Sequence, residues 1–244
     1  MVILALDTTA PSGSVAVLRG DELLVVRALP AGVPHGRRLP GDILEALRAA
    51  GLGLAAIELY AVASGPGAFT GLRVGIATMQ GFAFAHRRPV AAVPALEALV
   101  ETATRSGADA TYAAAWMDAA RGEVFTALYE AGGGTTAPVS IDPPAVGAPG
   151  ATLARWRPIL RARPVIFIGD GALRYAALIR ETMGAAAAFV EPTPPIAPAV
   201  GRLGLARAAA GDAGPPHAVR PLYVRRPDAE LARDRRAGEI ADRG

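Results

Sequence analysis

The chain has 244 residues, 52% of them hydrophobic, enough to build one large or two modest domains with a sizeable core. It contains no Cys, Lys or Asn, which excludes disulfides, thiolate metal sites, a cysteine nucleophile, a Schiff-base or Walker lysine and an asparagine oxyanion donor. The net charge is only +3, and the pI of 9.8 reflects 25 arginines that stay protonated to about pH 12 more than the clustered basic excess of a nucleic-acid-binding domain.

Val2–Leu6, Ser14–Leu18 and Glu22–Ala28 are apolar runs separated by Pro11-Ser12-Gly13 and Gly20-Asp21, a pattern that predicts a three-stranded meander. The opening run lacks a basic flank and meets Asp7 after five apolar residues, so it reads as a strand and not as a signal peptide. Leu39, Ile43, Leu44 and Leu47 recur at helical spacing opposite Arg37, Arg38, Asp42, Glu45 and Arg48, giving an amphipathic helix over Arg37–Ala50. Tyr60–Ser64 then reads as a buried strand and Thr70–His86 as a helix, with the glycines between them marking a strand-to-helix turn.

That second helix is unusual. Gly71 and Gly75 are four residues apart, and Ala77, Gly81 and Ala85 form another small-residue row at the same spacing. Each interior Gly costs about 1 kcal/mol relative to Ala, and residues at this spacing share a face on which another backbone can approach. The expectation is a helix crowded on two sides, where Gly75→Leu or Gly81→Leu costs either folding or association. Pro89–Val93 and Pro94–Arg105 follow as a strand and a helix.

From Ala110 the order starts again. Strands are expected over Thr111–Met117, Val124–Tyr129, Val139–Ile141, Pro164–Ile168 and Ala186–Val190, and helices over Gly147–Trp156, Ala172–Met183 and Ala197–Ala210. The grammar is that of two similar α/β domains, β-β-β-α-β-α with mixed sheets: residues 1–107 carry the first and 108–210 the second. Residues 211–226 form a terminal segment, and the mixed-charge stretch 227–244 is expected to be a mobile tail. No run approaches the length of a membrane span, so a soluble protein is expected.

The turn at Gly65-Pro66-Gly67 and on to Gly71 could cradle a phosphate at a helix N-terminus. Its spacing, however, is G-x-G-x-x-x-G, neither the dinucleotide fingerprint nor a Walker loop, and a purely structural turn is the default. Asp7-Thr8-Thr9 ends a buried strand, where functional side chains often sit, but the same residues can simply bond nearby backbone N–H groups. His35, His86 and His217 have no partner at metal-ligand spacing. Arg155, Arg157, Arg161 and Arg163 surround Trp156, a pattern that could touch nucleic acid but is more often a solvated cluster.

Three segments carry a resemblance: Ile3-Leu4-Ala5-Leu6-Asp7-Thr8-Thr9, the G-P-G-A-F-T-G-L-R-V-G-I-A-T stretch at 65–78, and M-D-A-A-R-G-E-V-F at 117–125. Together they resemble the TsaB/YeaZ family, accessory proteins of threonylcarbamoyladenosine synthesis on bacterial tRNA. The resemblance implies an actin-like, Hsp70 and sugar-kinase fold of two domains about a cleft, with Asp7-Thr8-Thr9 matching its first phosphate loop. It implies TsaD and TsaE as partners, a homodimer when alone, tRNA reached only through the complex, no membrane and a cytoplasmic location. An interface is implied on the first two helices, through Leu39, Ile43, Leu47, Leu72, Gly75, Ile76 and Met79.

The related TsaD carries a His-x-x-x-His metal motif on the helix after its central motif. Here His86 stands alone, with Phe82 and Val90 at the flanking positions. The resemblance therefore implies a non-catalytic paralogue that needs no cofactor and retains at most weak ATP or ADP binding, at Asp7, Thr8, Thr9, Gly65, Gly67 and Asp170. Two departures alter the charge matching to a partner: His35-Gly36-Arg37 replaces the His-Ser-Glu frequent in the family, and Met79-Gln80-Gly81 has no Lys. An active ATP-dependent phosphotransferase of the same fold is the alternative, motivated by Asp7 and the glycine turn, with Asp170 as the evident second acid. A metallopeptidase, the older glycoprotease reading of these relatives, has no metal motif to rest on.

Overall fold

The computed structural model describes all residues except 31, 33, 108, 132–137 and 226–244. The tail expected at 227–244 lies outside the described residues. Strands β1 (Val2–Asp7), β2 (Ser14–Arg19) and β3 (Glu22–Ala28) form the meander, followed by helix α1 (His35–Ala49), strand β4 (Leu59–Gly65), helix α2 (Phe69–His86), strand β5 (Val90–Pro94) and helix α3 (Ala95–Thr104). The second series runs β6 (Tyr112–Asp118), β7 (Val124–Glu130), β8 (Val139–Gly147), α4 (Pro149–Leu160), β9 (Val165–Ile168), α5 (Asp170–Arg174), α6 (Ala176–Met183), β10 (Ala187–Phe189) and α7 (Ala197–Ala209).

Each series makes one mixed five-stranded sheet, in the orders β3-β2-β1-β4-β5 and β10-β9-β6-β7-β8. In the first, β1 pairs antiparallel with β2 and parallel with β4; in the second, β6 pairs antiparallel with β7 and parallel with β9. The two sheets thus share one topology, strand for strand. Their central strands are buried on both faces, which is why β1 reads as a continuous apolar run and not as an alternating one.

Alternation decides which layer each residue joins. Ile3 and Ala5 face a core between the two sheets, while Leu4 and Leu6 face the layer of α1 and α2. In the second sheet Ala113, Ala115 and Met117 face the shared core, and Ala114 and Trp116 face the layer of α4 and α6, where Trp116 meets Trp156 edge-on at 5.9 Å. Two helices cross over within the shared core. Helix α3, from the first series, packs chiefly on the second sheet while also touching β4 and β5; α7, assigned with the second by chain order, packs on the first, where a Cβ at Gly201 would lie 2.4 Å from Leu18 and one at Gly204 2.6 Å from Ala61.

Two local expectations change. The strand expected to end at Ile141 continues through Pro143-Pro144 to Gly147, because β8 is an edge strand and its prolines need not donate to the ladder. The helix expected over Ala172–Met183 is broken at Tyr175 and begins two residues earlier, at Asp170.

Candidate functional site

The sheets present the C-terminal ends of β1, β4, β6 and β9 to a common cleft. On one wall, Asp7 Oδ1 accepts hydrogen bonds from the Thr9 N–H at 2.8 Å and the Thr9 hydroxyl at 2.6 Å. The Thr8 hydroxyl turns the other way and donates to Gly71 O at 2.8 Å, and the Ala68 N–H donates to Thr9 O at 2.8 Å. The loop after β1 is therefore fastened to the start of α2.

This fastening explains the spacing of the glycines. A Cβ at Gly67 would lie 2.4 Å from Thr9 O, one at Gly71 2.3 Å from Thr8 O, and one at Gly75 2.1 Å from Thr8 Oγ1. Three glycines at four-residue steps thus form one stripe against residues 8–9, each where a side chain would collide with a fixed loop. Gly65 differs: its φ of 118° is open to glycine, and a Cβ there would lie 2.6 Å from Leu222 O.

The opposite wall repeats the arrangement. Gly169-Asp170-Gly171 follows β9 as Gly65-Pro66-Gly67 follows β4, and Cβ atoms on its glycines would lie 2.1 Å from Trp116 O and 2.8 Å from Met117 C. Asp170 Oδ1 accepts from the Asp118 N–H at 3.0 Å and the Gly171 N–H at 2.9 Å, and Arg174 donates to Asp118 Oδ2 at 2.6 Å.

Two cavities occupy the cleft. Asp7, Thr9, Ser12, Asp170 and Thr193 line one of about 360 Å³; Thr9, Gly67, Phe69, Asp118, Phe125 and Asp170 line part of another of about 550 Å³. Of the sequence candidates, Asp7, Thr9, Gly67 and Asp170 reach a cavity, while Thr8 points into the α2 contact and Gly65 lies under Leu222. Burial pushes the Asp7 carboxyl above its usual range and Asp170 adds to this, against the opposing bonds from Thr9 and the charge of His35. His35, expected on sequence to be a surface or satisfied histidine, brings Nε2 to 3.3 Å from Ala10 O and packs beside Gly13 and Gly71. Its position at the first turn of α1, the helix packed against α2, was the signal that could have placed it there.

The other candidate chemistry resolves into structure. Trp156 is fully buried and its indole N–H donates to Asp142 at 2.7 Å, with Arg155 on the same carboxylate oxygen at 2.6 Å, so the aromatic of the arginine cluster is core. His86 Nδ1 lies 2.8 Å from Phe82 O. Among the described residues, no group of three His, Asp or Glu side chains converges as a metal site, and no helix is long and apolar enough to cross a membrane.

A family model described as tRNA N6-adenosine threonylcarbamoyltransferase, TsaD, matches residues 30–234. The chain belongs to this family. Within the TsaD family its similarities run to the TsaB/YeaZ members. It is 34% identical over 230 residues to an uncharacterized protein of Mycobacterium tuberculosis, covering 93% of each chain. To the tRNA threonylcarbamoyladenosine biosynthesis protein TsaB of Bacillus subtilis it is 27% identical over 186 residues, 75% of this chain and 77% of the other. YeaZ from Pseudomonas aeruginosa superposes with a TM-score of 0.75 at 30% identity, over 91% of this chain and 99% of that one. The ROK hexokinase from Thermus thermophilus, at TM-score 0.52 and 13% identity over 85% of this chain and all of its own, shares the fold alone. The two-domain α/β fold is that of the sugar-kinase and actin-like proteins.

The TsaD-family helices α1 and α2 do not offer the interface residues taken from the resemblance. Leu39, Ile43, Leu47, Leu72, Gly75, Ile76 and Met79 are all buried against the chain's own first sheet and first loop, because they form the apolar side by which these helices pack. The outward side of α2 carries Phe69, Arg73, Ala77, Gly81, Phe84 and Ala85. Phe84 is 80% exposed, and no described atom lies within 4 Å of a Cβ built on Gly81. The two small-residue rows thus have opposite surroundings, one pressed on Thr8 and Thr9 and the other facing solvent.

Proposed function

We propose that this chain is the non-catalytic partner of a TsaD-type transferase, which adds the threonylcarbamoyl group to the adenosine beside the anticodon of tRNA. Its contribution is to dock and activate that enzyme through the outward side of α2. The observation that carries the reading is the exposed row Ala77, Gly81 and Ala85 with Phe84 beside it. A helix face of small residues flanked by an exposed aromatic fits close approach of a second helix, with Phe84 filling a pocket on it. The names of the TsaB relatives support the tRNA substrate. In this reading residues 1–107 carry the partner-binding helices and the second sheet with its own helices, within 108–210, forms the second domain, while α7 of that span packs on the first; the same face closes a homodimer when the chain is alone, TsaE joins the complex, and the protein works in the cytoplasm.

Co-purification with the TsaD of the same genome, followed by threonylcarbamoyl transfer to tRNA with and without this chain, tests the proposal. The expected result is a stable complex and transfer that depends on it. Phe84→Asp should abolish both while leaving the circular dichroism spectrum unchanged. Transfer by TsaD alone at the full rate would overturn the activating role.

A second reading is favoured by the two acids facing the smaller cavity, Asp7 and Asp170. It is weak ATP or ADP binding in the cleft, with Thr9 and Gly67 beside the nucleotide. Calorimetric titration with Mg-ATP and with ADP, repeated on Asp170→Ala, decides it: heat that Asp170→Ala abolishes supports a nucleotide site, and its absence at millimolar ligand removes it.

A further inference from the structure

We infer that residues 221–225 form a strap that fixes the opening of the cleft between the two domains and roofs its larger cavity. The segment has no helix or strand of its own, yet successive residues are fastened to different walls. The Leu222 N–H donates to Ser64 O at 2.7 Å, at the end of β4, and the lack of a side chain on Gly65 leaves the space its carbonyl fills. Tyr223 stacks on Phe69 with ring centroids 5.4 Å apart, and its hydroxyl accepts from Arg73 Nε at 2.9 Å; the Arg73 guanidinium itself lies 3.8 Å over the Phe69 ring. Two residues later Arg225 reaches the second domain, donating to Ala119 O at 2.7 Å, pairing with Glu123 and lying over the Phe125 ring at 5.6 Å.

Leu222, Tyr223, Val224 and Arg225 form one side of the cavity of about 550 Å³, opposite Thr9, Gly67 and Asp170. The first-domain attachment is the Leu222 backbone bond plus a stack of two exposed rings, and the second-domain attachment is the part-buried Arg225 together with Val224 packed on the shared core. Arg225 carries the side-chain bonds of the strap to the second domain, so its loss frees that wall, and domain rotation about the remaining core follows as hinge motion. Tyr223 also extends the outward side of α2 at Phe69 and Arg73. A protein seated on that side would press on the strap and so on the cleft; this last coupling alone rests on the partner reading.

The absence of native cysteine makes the test direct. Arg48→Cys on α1 and Glu181→Cys on α6, both exposed and clear of the strap, carry a spin-label pair whose distance distribution reports the relative position of the domains in the full chain without any partner. The expected result is one narrow distance that broadens and shifts by several ångströms in Tyr223→Ala/Arg225→Ala. An unchanged distribution in that folded double variant overturns the strap. Should the double variant not fold, Arg225→Ala alone decides in the same measurement: a shift supports the strap and an unchanged distance overturns it. With no partner present, failure of the strap and failure of the docking reading are separate results.

Discussion

Asp7 stands where the end of a central strand meets the cleft, yet its Oδ1 is occupied by two bonds from Thr9. The sequence left open whether this residue was chemical or structural, since one aspartate in a turn serves either end. The geometry separates two properties of the side chain: the acceptor oxygen is needed, while the negative charge is buried and disfavoured. A folded-state value raised above the ordinary 3.8 means that the protonated form contributes stability below that value, and that this contribution is lost as pH rises through the folded value. Asp7→Asn keeps the acceptor and never ionises. Relative to wild type it should therefore gain stability on going from acid to neutral pH, as followed by urea midpoints. Asp7→Ala leaves the Thr9 donors unsatisfied and should cost about 1–3 kcal/mol at every pH. Equal pH dependence of Asp7→Asn and wild type would show that the charge carries no penalty.

At the scale of elements, α2 separates what the sequence revealed from what it concealed. The two rows of small residues were visible as a periodicity, and helix geometry turned them into an expectation of close approach on two sides; among the described residues one row is crowded and the other faces solvent. Which row met what was not visible, because a glycine gives no polarity by which to tell core from solvent. The structure predicts a contrast between them. Gly75→Ala sets a methyl 2.1 Å from Thr8 Oγ1, and Thr8 cannot retreat without breaking its bond to Gly71 O, so a loss of about 1–3 kcal/mol is expected. Gly81→Ala meets nothing among the described residues and should instead gain about 1 kcal/mol from helix propensity. Gly81→Leu should fold as wild type and lose association. Denaturant midpoints and oligomer mass by light scattering check all three. The strap was hidden for the reverse reason: residues 221–225 carry no periodicity, and their contacts are fixed by walls far away in the chain.

The whole molecule is joined by the two helices that cross over. The order of elements along the chain was legible because apolar runs and turn residues are local signals, but the side of a sheet on which a helix lands is a tertiary property, and chain order misplaces α7. Between α3 and α7, Arg202 clasps both oxygens of Glu101 at 2.6 and 3.0 Å, and Arg207 bonds Glu97 at 2.6 Å. The Glu101 and Arg202 side chains are 10% and 16% exposed, against 47% for Arg105, which shares Glu101 from the solvent side. Removing Arg202 takes the desolvated partner away, and Arg202→Ala should cost on the order of 2–3 kcal/mol; Arg105→Ala should cost under about 1 kcal/mol. Because these pairs connect a helix on one sheet to a helix on the other, their loss should also weaken coupling between the domains. Both tryptophans, Trp116 and Trp156, lie in the second domain, so fluorescence reports that domain alone while far-ultraviolet circular dichroism reports both. In the wild type the two transitions should coincide, as one cooperative unit requires. In Arg202→Ala/Arg207→Ala they should separate. Coincident transitions in the double variant would place the coupling in the apolar packing of α3 and α7, with the ion pairs contributing to stability alone.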